Sequence, residues 1–310
     1  MRRHALGLTL VELITVVAII AILVGLLVPA VNVARRFAKE TQQRAQLTAI
    51  DVALMAFHND FGDYPPSNPS NGAVLTDPME ASNATYCGAQ KLAEALVGRD
   101  MRGFNPDAYA ALNTSNGIDL TYYPYPLDLS NPVHVANLNH RKPLYLDPGT
   151  ANAFRLGADD TVPKPGLYPR ASLSPLAWDT FVLCDVYVRR TVLVYSGTVA
   201  KEIKLGTPIL YYRADSSKRT SGEIYNFYDN GNLILAKEKN ENKPSTVGWN
   251  PTLPLAQNAF YQFIDDPRVP WTNTTDPMTG SPYRRDSYIL VSAGADGVYG
   301  TGDDVSNLSK

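Results

Sequence analysis

The chain has 310 residues, 45% of them hydrophobic and 19% charged, with a formal net charge of −2. That balance excludes a disordered, charge-swollen polymer, and the lack of a basic stripe beyond the first few residues argues against nucleic acid as a partner. The length admits one large domain or two small ones.

The first element is the most informative. Residues 1–7, Met1-Arg2-Arg3-His4-Ala5-Leu6-Gly7, form a short basic leader. Behind them, Leu8 to Val31 is a run of 24 residues with a single charge, Glu12. About 20 apolar residues suffice to cross a bilayer as a helix, and the basic leader orients the N-terminus toward the cytoplasm. A cleaved secretory signal has a shorter apolar region and a small-residue cleavage site, which this run lacks. A plain membrane anchor leaves Glu12 without a reason, although a charge near a helix centre costs roughly 2.5–3.5 kcal/mol on insertion scales.

Gly7, Leu8, Thr9 and Glu12 together resemble the class III signal of type IV pilins and type II secretion pseudopilins: a leader, a Gly, then an apolar segment with Glu as its fifth residue. The resemblance implies cleavage between Gly7 and Leu8 by a prepilin peptidase and N-methylation of Leu8. The family usually has Phe where this chain has Leu8. Loss of the leader removes Arg2 and Arg3 and takes the net charge to −4. The resemblance also implies that Glu12 of one subunit pairs with the new amino terminus of its neighbour, which would relieve the cost of an isolated charge in low dielectric.

Residues 32–61 continue the helix in amphipathic form. Pro29 weakens it, since Pro removes a backbone hydrogen bond. Arg35, Arg36 and Lys39 then mark the exit into a polar phase. Leu47, Ile50, Leu54, Phe57 and Phe61 recur at helical spacing, a stripe suited to packing on the chain's own globular body. One helix from about Leu10 to Asn59 would span roughly 75 Å. Gly62-Asp63-Tyr64-Pro65-Pro66 ends it. The phrase Phe57-His58-Asn59-Asp60-Phe61-Gly62-Asp63-Tyr64-Pro65 resembles the end of the first helix in G-type major pseudopilins, which narrows the likeness. His58 stands alone and reads as structural rather than as a ligand.

Residues 62–180 read as an insertion displayed at the filament surface. Gly88–Gly98 predicts a short helix closed by glycine, and Pro106–Leu112 another. The Tyr- and Pro-rich stretch from 121 to 180 suits packed turns or a binding surface for carbohydrate or a secreted substrate. Residues 181–310 read as an antiparallel sheet domain, with strands at 181–188, 191–195, 208–213, 224–228, 233–235 and 287–292, and a hairpin turn at Asp229-Asn230-Gly231. The expected fold class is therefore α+β: a long N-terminal helix packed on an antiparallel sheet, pilin-like, with a large insertion.

The C-terminal stretch Ser292 to Val305 holds four glycines and the acids Asp296, Asp303 and Asp304. It lacks EF-hand spacing, but oxygen-rich turns suit Ca²⁺, which takes 6–8 oxygen ligands. It resembles the calcium loop of G-type major pseudopilins. That likeness implies Asp296, Asp303 and Asp304 as side-chain ligands, with Ser292 or Val298 contributing carbonyls. The two cysteines, Cys87 and Cys184, lie on the side of the membrane where disulfides persist, and sequence leaves open whether they meet.

No zinc-like His/Cys spacing, nucleophile elbow or phosphate loop occurs. The acidic pairs Asp159-Asp160 and Asp265-Asp266 read as exposed turns rather than glycosidase carboxylates, so no enzyme is expected. The resemblance implies a structural subunit of a type II secretion pseudopilus or related filament, single-pass in the inner (cytoplasmic) membrane with its C-terminal body periplasmic. Its partners would be other pseudopilin subunits, the prepilin peptidase, an assembly platform in the inner membrane and secreted substrates. A minor or tip subunit or adhesin using the inserted region is the alternative, and a membrane-anchored extracytoplasmic enzyme is a third reading.

Overall fold

In the computed structural model, residues 10–68, 86–108, 122–124, 127–158, 165–173, 176, 179–196, 199–241, 248–269 and 276–308 are described. The chain divides into two units, 1–42 and 43–310, and helix α1, Leu10–Phe61, belongs to both. Pro29 lies inside α1 without ending it. Gly62 ends it: at φ +76° it donates its N–H to the His58 carbonyl at 2.7 Å, a left-handed closure that a residue with a Cβ resists.

Within the second unit, the inner face of α1 is the expected stripe. Leu47, Ile50, Leu54 and Phe57 are at most 3% exposed, and Phe61 packs partly buried beside them. Two glutamines extend that face. Gln46 donates to the carbonyls of Ala151 (3.0 Å) and Cys184 (2.9 Å), and Gln43 accepts from the Val186 N–H at 2.9 Å. The same periodicity that buries the apolar residues therefore also satisfies backbone groups at the end of a strand.

The stretch between 62 and 180 supplies interior as well as surface. Helix α2, Gly88–Val97, is buried at every position. Its Leu92, Ala93 and Leu96 share one apolar cluster with Leu54 and Phe57 of α1. Gly98 closes α2 at φ +78°; an added Cβ there would lie 2.2 Å from the Gly103 carbonyl oxygen. Of the helix expected at 106–112, Pro106–Ala108 forms a single 3₁₀ turn, and the remainder lies outside the described residues. Helix α3, Pro132–Asn139, was not foreseen; it starts where the Asn131 side chain accepts from the Val133 N–H at 3.0 Å.

Among the described residues the strands make four small sheets. β1 (Ala153–Arg155) pairs with β4 (Phe181–Leu183) antiparallel, and β2 (Gly157–Ala158) with β3 (Tyr168–Pro169) parallel. β5 (Arg190–Ser196) and β6 (Val199–Leu205) form an antiparallel ribbon. The central sheet is β7 (Leu210–Arg213), β8 (Tyr288–Ser292) and β9 (Val305–Ser306), antiparallel throughout. All five β8 residues are buried because both faces are covered. Side chains alternate across a strand: Tyr211, Tyr288 and Leu290 join the cluster containing the α1 stripe, while Tyr212, Ile289 and Val291 join a second one with Phe227, Trp249 and Phe260.

Two expected strands are helical instead. Residues 224–228 run from the end of α4 (Ser221–Ile224) through the linking Tyr225 and Asn226 into a 3₁₀ turn at Phe227–Asn230, and 233–235 fall in α5 (Gly231–Glu241). The Asn-Gly pair signals a hairpin only when both residues take positive φ; Gly231 has φ −54° and continues into the helix. The Asn230 side chain is committed elsewhere, accepting from the Ala89 N–H and donating to the Tyr211 carbonyl, each at 2.8 Å. A further helix, α6 (Ala256–Ile264), buries Phe260, Tyr261 and Ile264.

Candidate functional site

Two places carry the residues singled out by the sequence. The first is the start of α1. Gly7 and Leu8 lie outside the described residues; Glu12 occupies the first helical turn, where a carboxylate complements the helix dipole, and its carbonyl accepts from the Thr15 hydroxyl at 3.0 Å. Around it the apolar side chains face outward: Leu10 is 74% exposed, Val11 67% and Leu13 58%. Among the described residues α1 is the one helix long and apolar enough to cross a membrane, and none of its most apolar segment is buried.

The second place is the turn between β8 and β9. Gly294 and Gly300, at φ +59° and +86°, let the backbone fold back on itself; a Cβ on Gly294 would stand 2.1 Å from the Asp303 carbonyl oxygen. The three acids are drawn into this turn, largely by backbone N–H groups. Asp303 Oδ2 accepts from the Asp296 N–H at 2.8 Å and its Oδ1 from the Thr301 hydroxyl at 2.6 Å. Asp296 Oδ1 accepts from Val298 N–H at 2.7 Å, and Asp304 Oδ2 from Gly300 N–H at 2.6 Å. Asp304 Oδ1 is buried and accepts nothing.

The electrostatics separate the acids. Burial, reinforced by the charges of Asp303 and Asp296, pushes the Asp304 carboxyl up to about 8 despite its bond from Gly300. Partial burial works the same way on Asp303, but the bonds from Thr301 and from the Asp296 N–H outweigh it and hold that carboxyl low. Among the described residues no three His, Cys, Asp or Glu side chains gather into a ready metal cage. The donor set is nevertheless all oxygen, and Asp304 Oδ1 lacks the partner that a buried carboxylate oxygen requires, so a hard cation suits the turn. Of the expected carbonyl donors, Val298 O lies 3.1 Å from the Thr301 hydroxyl, whose one hydrogen goes to Asp303. The Ser292 hydroxyl points inward, donating to Asp185 Oδ2 at 2.9 Å.

Cys87 and Cys184, the pair that the sequence left open, are both free and buried. Burial pushes the Cys87 thiol up to about 12 and Cys184 higher still. Neither is a ready thiolate for exchange.

Sequence reasoning missed a set of buried ionisable groups. Glu94 is 4% exposed, Asp185 1% and Asp229 3%. Burial raises Glu94 to about 8 and Asp185 and Asp229 to about 7. Glu94 accepts from the Tyr86 hydroxyl, near the ion pairs Arg99–Asp179 (2.8 Å) and Arg141–Asp100 (2.5 Å). The Ser67 hydroxyl donates to Asp229. Only the apolar context of helix α2, Leu92 to Val97, hinted that Glu94 would be interior.

Compared with protein-family models, curated proteins and solved structures, the chain matches none.

Proposed function

We propose that this chain is a structural subunit of a type II secretion pseudopilus or a related type IV pilus-like filament. In this reading prepilin peptidase cuts between Gly7 and Leu8, Leu8 is methylated, and the apolar part of α1 holds the subunit in the inner membrane until an assembly platform adds it to the filament. The body, residues 43–310, is extracytoplasmic and works as a pilin-like module rather than as an enzyme.

One observation carries the proposal. Helix α1 runs unbroken from Leu10 to Phe61, yet its apolar segment is unburied among the described residues, while Leu47, Ile50, Ala53, Leu54 and Phe57 are packed in the body. Each buried Leu, Ile or Val gains roughly 1.5–3 kcal/mol on leaving water, so the bare segment calls for lipid or for other copies. Glu12 makes the second of these specific: in a filament its carboxylate meets the neighbour's amino terminus, and the pairing sets the axial register.

Calcium belongs to the same reading. Asp304, with Asp303 and Asp296, would hold Ca²⁺ in the β8–β9 turn. The ion would supply positive charge where three acids crowd. Replacing Glu12 by Ala tests the assembly claim. Filament recovery by shear should fall at least tenfold while membrane insertion and leader removal persist; unchanged recovery would contradict it.

A further inference from the structure

Just beyond the apolar run, α1 carries Arg35, Arg36 and Lys39, all exposed. At 3.6 residues per turn the three occupy an arc of about 100° on one side of the helix, and at 1.5 Å per residue they stand about 3–9 Å past Val33. That is the depth of the headgroup layer, since a bilayer adds roughly 5–8 Å of polar material on each side of a core about 30 Å thick.

The three cations lack partners, unlike several cations of the body. In the body, Arg99, Arg141, Lys142, Arg213, Lys237 and Arg268 each pair with a carboxylate. Arg35, Arg36 and Lys39 make no ion pair or side-chain hydrogen bond among the described residues, whereas nearby Glu40 and Arg44 are already engaged. A second copy packed alongside brings no remedy: from Leu8 to Gln42 the only acids are Glu12, at the far end, and Glu40. The membrane itself offers a partner with free negative charge at this depth.

We propose that Arg35, Arg36 and Lys39 form a collar that binds the phosphate-bearing headgroups of acidic phospholipids in the leaflet facing the body. The inference rests on the membrane-spanning reading above and adds a lipid class to it. Its function would be to hold the subunit at a fixed depth before assembly, with Phe37 seated in the same layer. A basic residue beside an anionic membrane surface is worth roughly a fivefold preference for the one headgroup it meets, and the attraction fades as salt shortens the Debye length to about 3 Å at 1 M.

The test uses the full chain in phosphatidylcholine vesicles with spin-labelled phosphatidylglycerol or phosphatidylcholine as probe, reading the motionally restricted lipid by electron paramagnetic resonance. The expected result is about fivefold selectivity for phosphatidylglycerol, falling to about onefold in Arg35→Gln/Arg36→Gln/Lys39→Gln and in 1 M salt, and kept in Arg35→Lys/Arg36→Lys. An unchanged melting temperature shows that the triple variant is folded. Equal restriction of both probes at low salt, or selectivity that survives the triple change, overturns the collar but leaves the membrane reading intact. So does competition by inorganic phosphate beyond that of chloride at equal ionic strength, which would assign the site to free phosphate. No restricted lipid of either kind overturns both.

Discussion

Two stretches of one helix make the instructive contrast. From Leu10 to Leu27 the large apolar side chains are about half exposed or more, whereas Leu47, Ile50, Leu54 and Phe57 are at most 3% exposed. Backbone geometry is alike in the two stretches, so it does not explain the difference. The inner stretch has a sheet, helix α2 and a set of aromatic rings to meet, whereas the most apolar segment of the outer one is unburied among the described residues. Hydrophobicity demands burial but does not say against what. The periodicity does: a stripe at 3–4 spacing fits one neighbour, and an apolar surface all round fits lipid or several helices.

The largest expected effect comes from attacking the inner stretch. Phe57 packs its ring against Phe61, Phe104 and Tyr145, with centroids 4.5, 5.4 and 5.6 Å away. Phe57→Ala should cost roughly 3–5 kcal/mol and lower the melting temperature by about 10 °C. The matching change in the outer stretch, Ile20→Ala, should leave the melting temperature within about 1–2 °C, since it empties no cavity in the body. Equal losses at the two sites would erase the contrast.

A second, smaller effect belongs to the body alone. Calcium at 100 times its dissociation constant should stabilise it by about 2.7 kcal/mol, several degrees in a thermal melt, and Asp304→Asn should remove that shift. A melt indifferent to calcium would retire the metal assignment and leave the helix untouched.

A third effect is a slope with pH. Glu94 sits at about 8, raised first by burial and then by the charges of Asp100 and Asp179, against the opposing pull of Arg99. Asp185 and Asp229 sit at about 7, also through burial. Because these folded values lie above the unfolded ones, the native state holds more protons between pH 4 and 8, so stability declines as pH rises across that window. Lys91, lowered to about 8 by burial, acts only above it, and in the opposite direction. The melting temperature should be higher at pH 5 than at pH 8, and Glu94→Gln should raise it at pH 8 and flatten the slope. A rising slope from pH 5 to 8 would contradict this burial.

How much of this was legible beforehand depended on the range of the interaction. The α1 stripe, its end at Gly62, helix α2 with its glycine closure and strands β5, β7 and β8 follow from local period and turn chemistry. The segments at 224–228 and 233–235 misled because β-rich residues there are claimed by long-range contacts, notably Asn230 bridging Ala89 and Tyr211. The crowding of Asp296, Asp303 and Asp304 in one turn could be read from glycine spacing. The orphaned oxygen of Asp304 and the buried Glu94, Asp185 and Asp229 could not, because sequence shows no neighbours in space.

The central claim is that the bare apolar segment starts a processed subunit rather than a removable signal. Mass spectrometry of the N-terminal peptide, from protein extracted from membranes with and without prepilin peptidase, tests it most directly. The account predicts a methylated Leu8 terminus with the peptidase and an intact leader from Met1 without it. A native chain that keeps Met1 in the presence of the peptidase, or that begins beyond Val31, would contradict it.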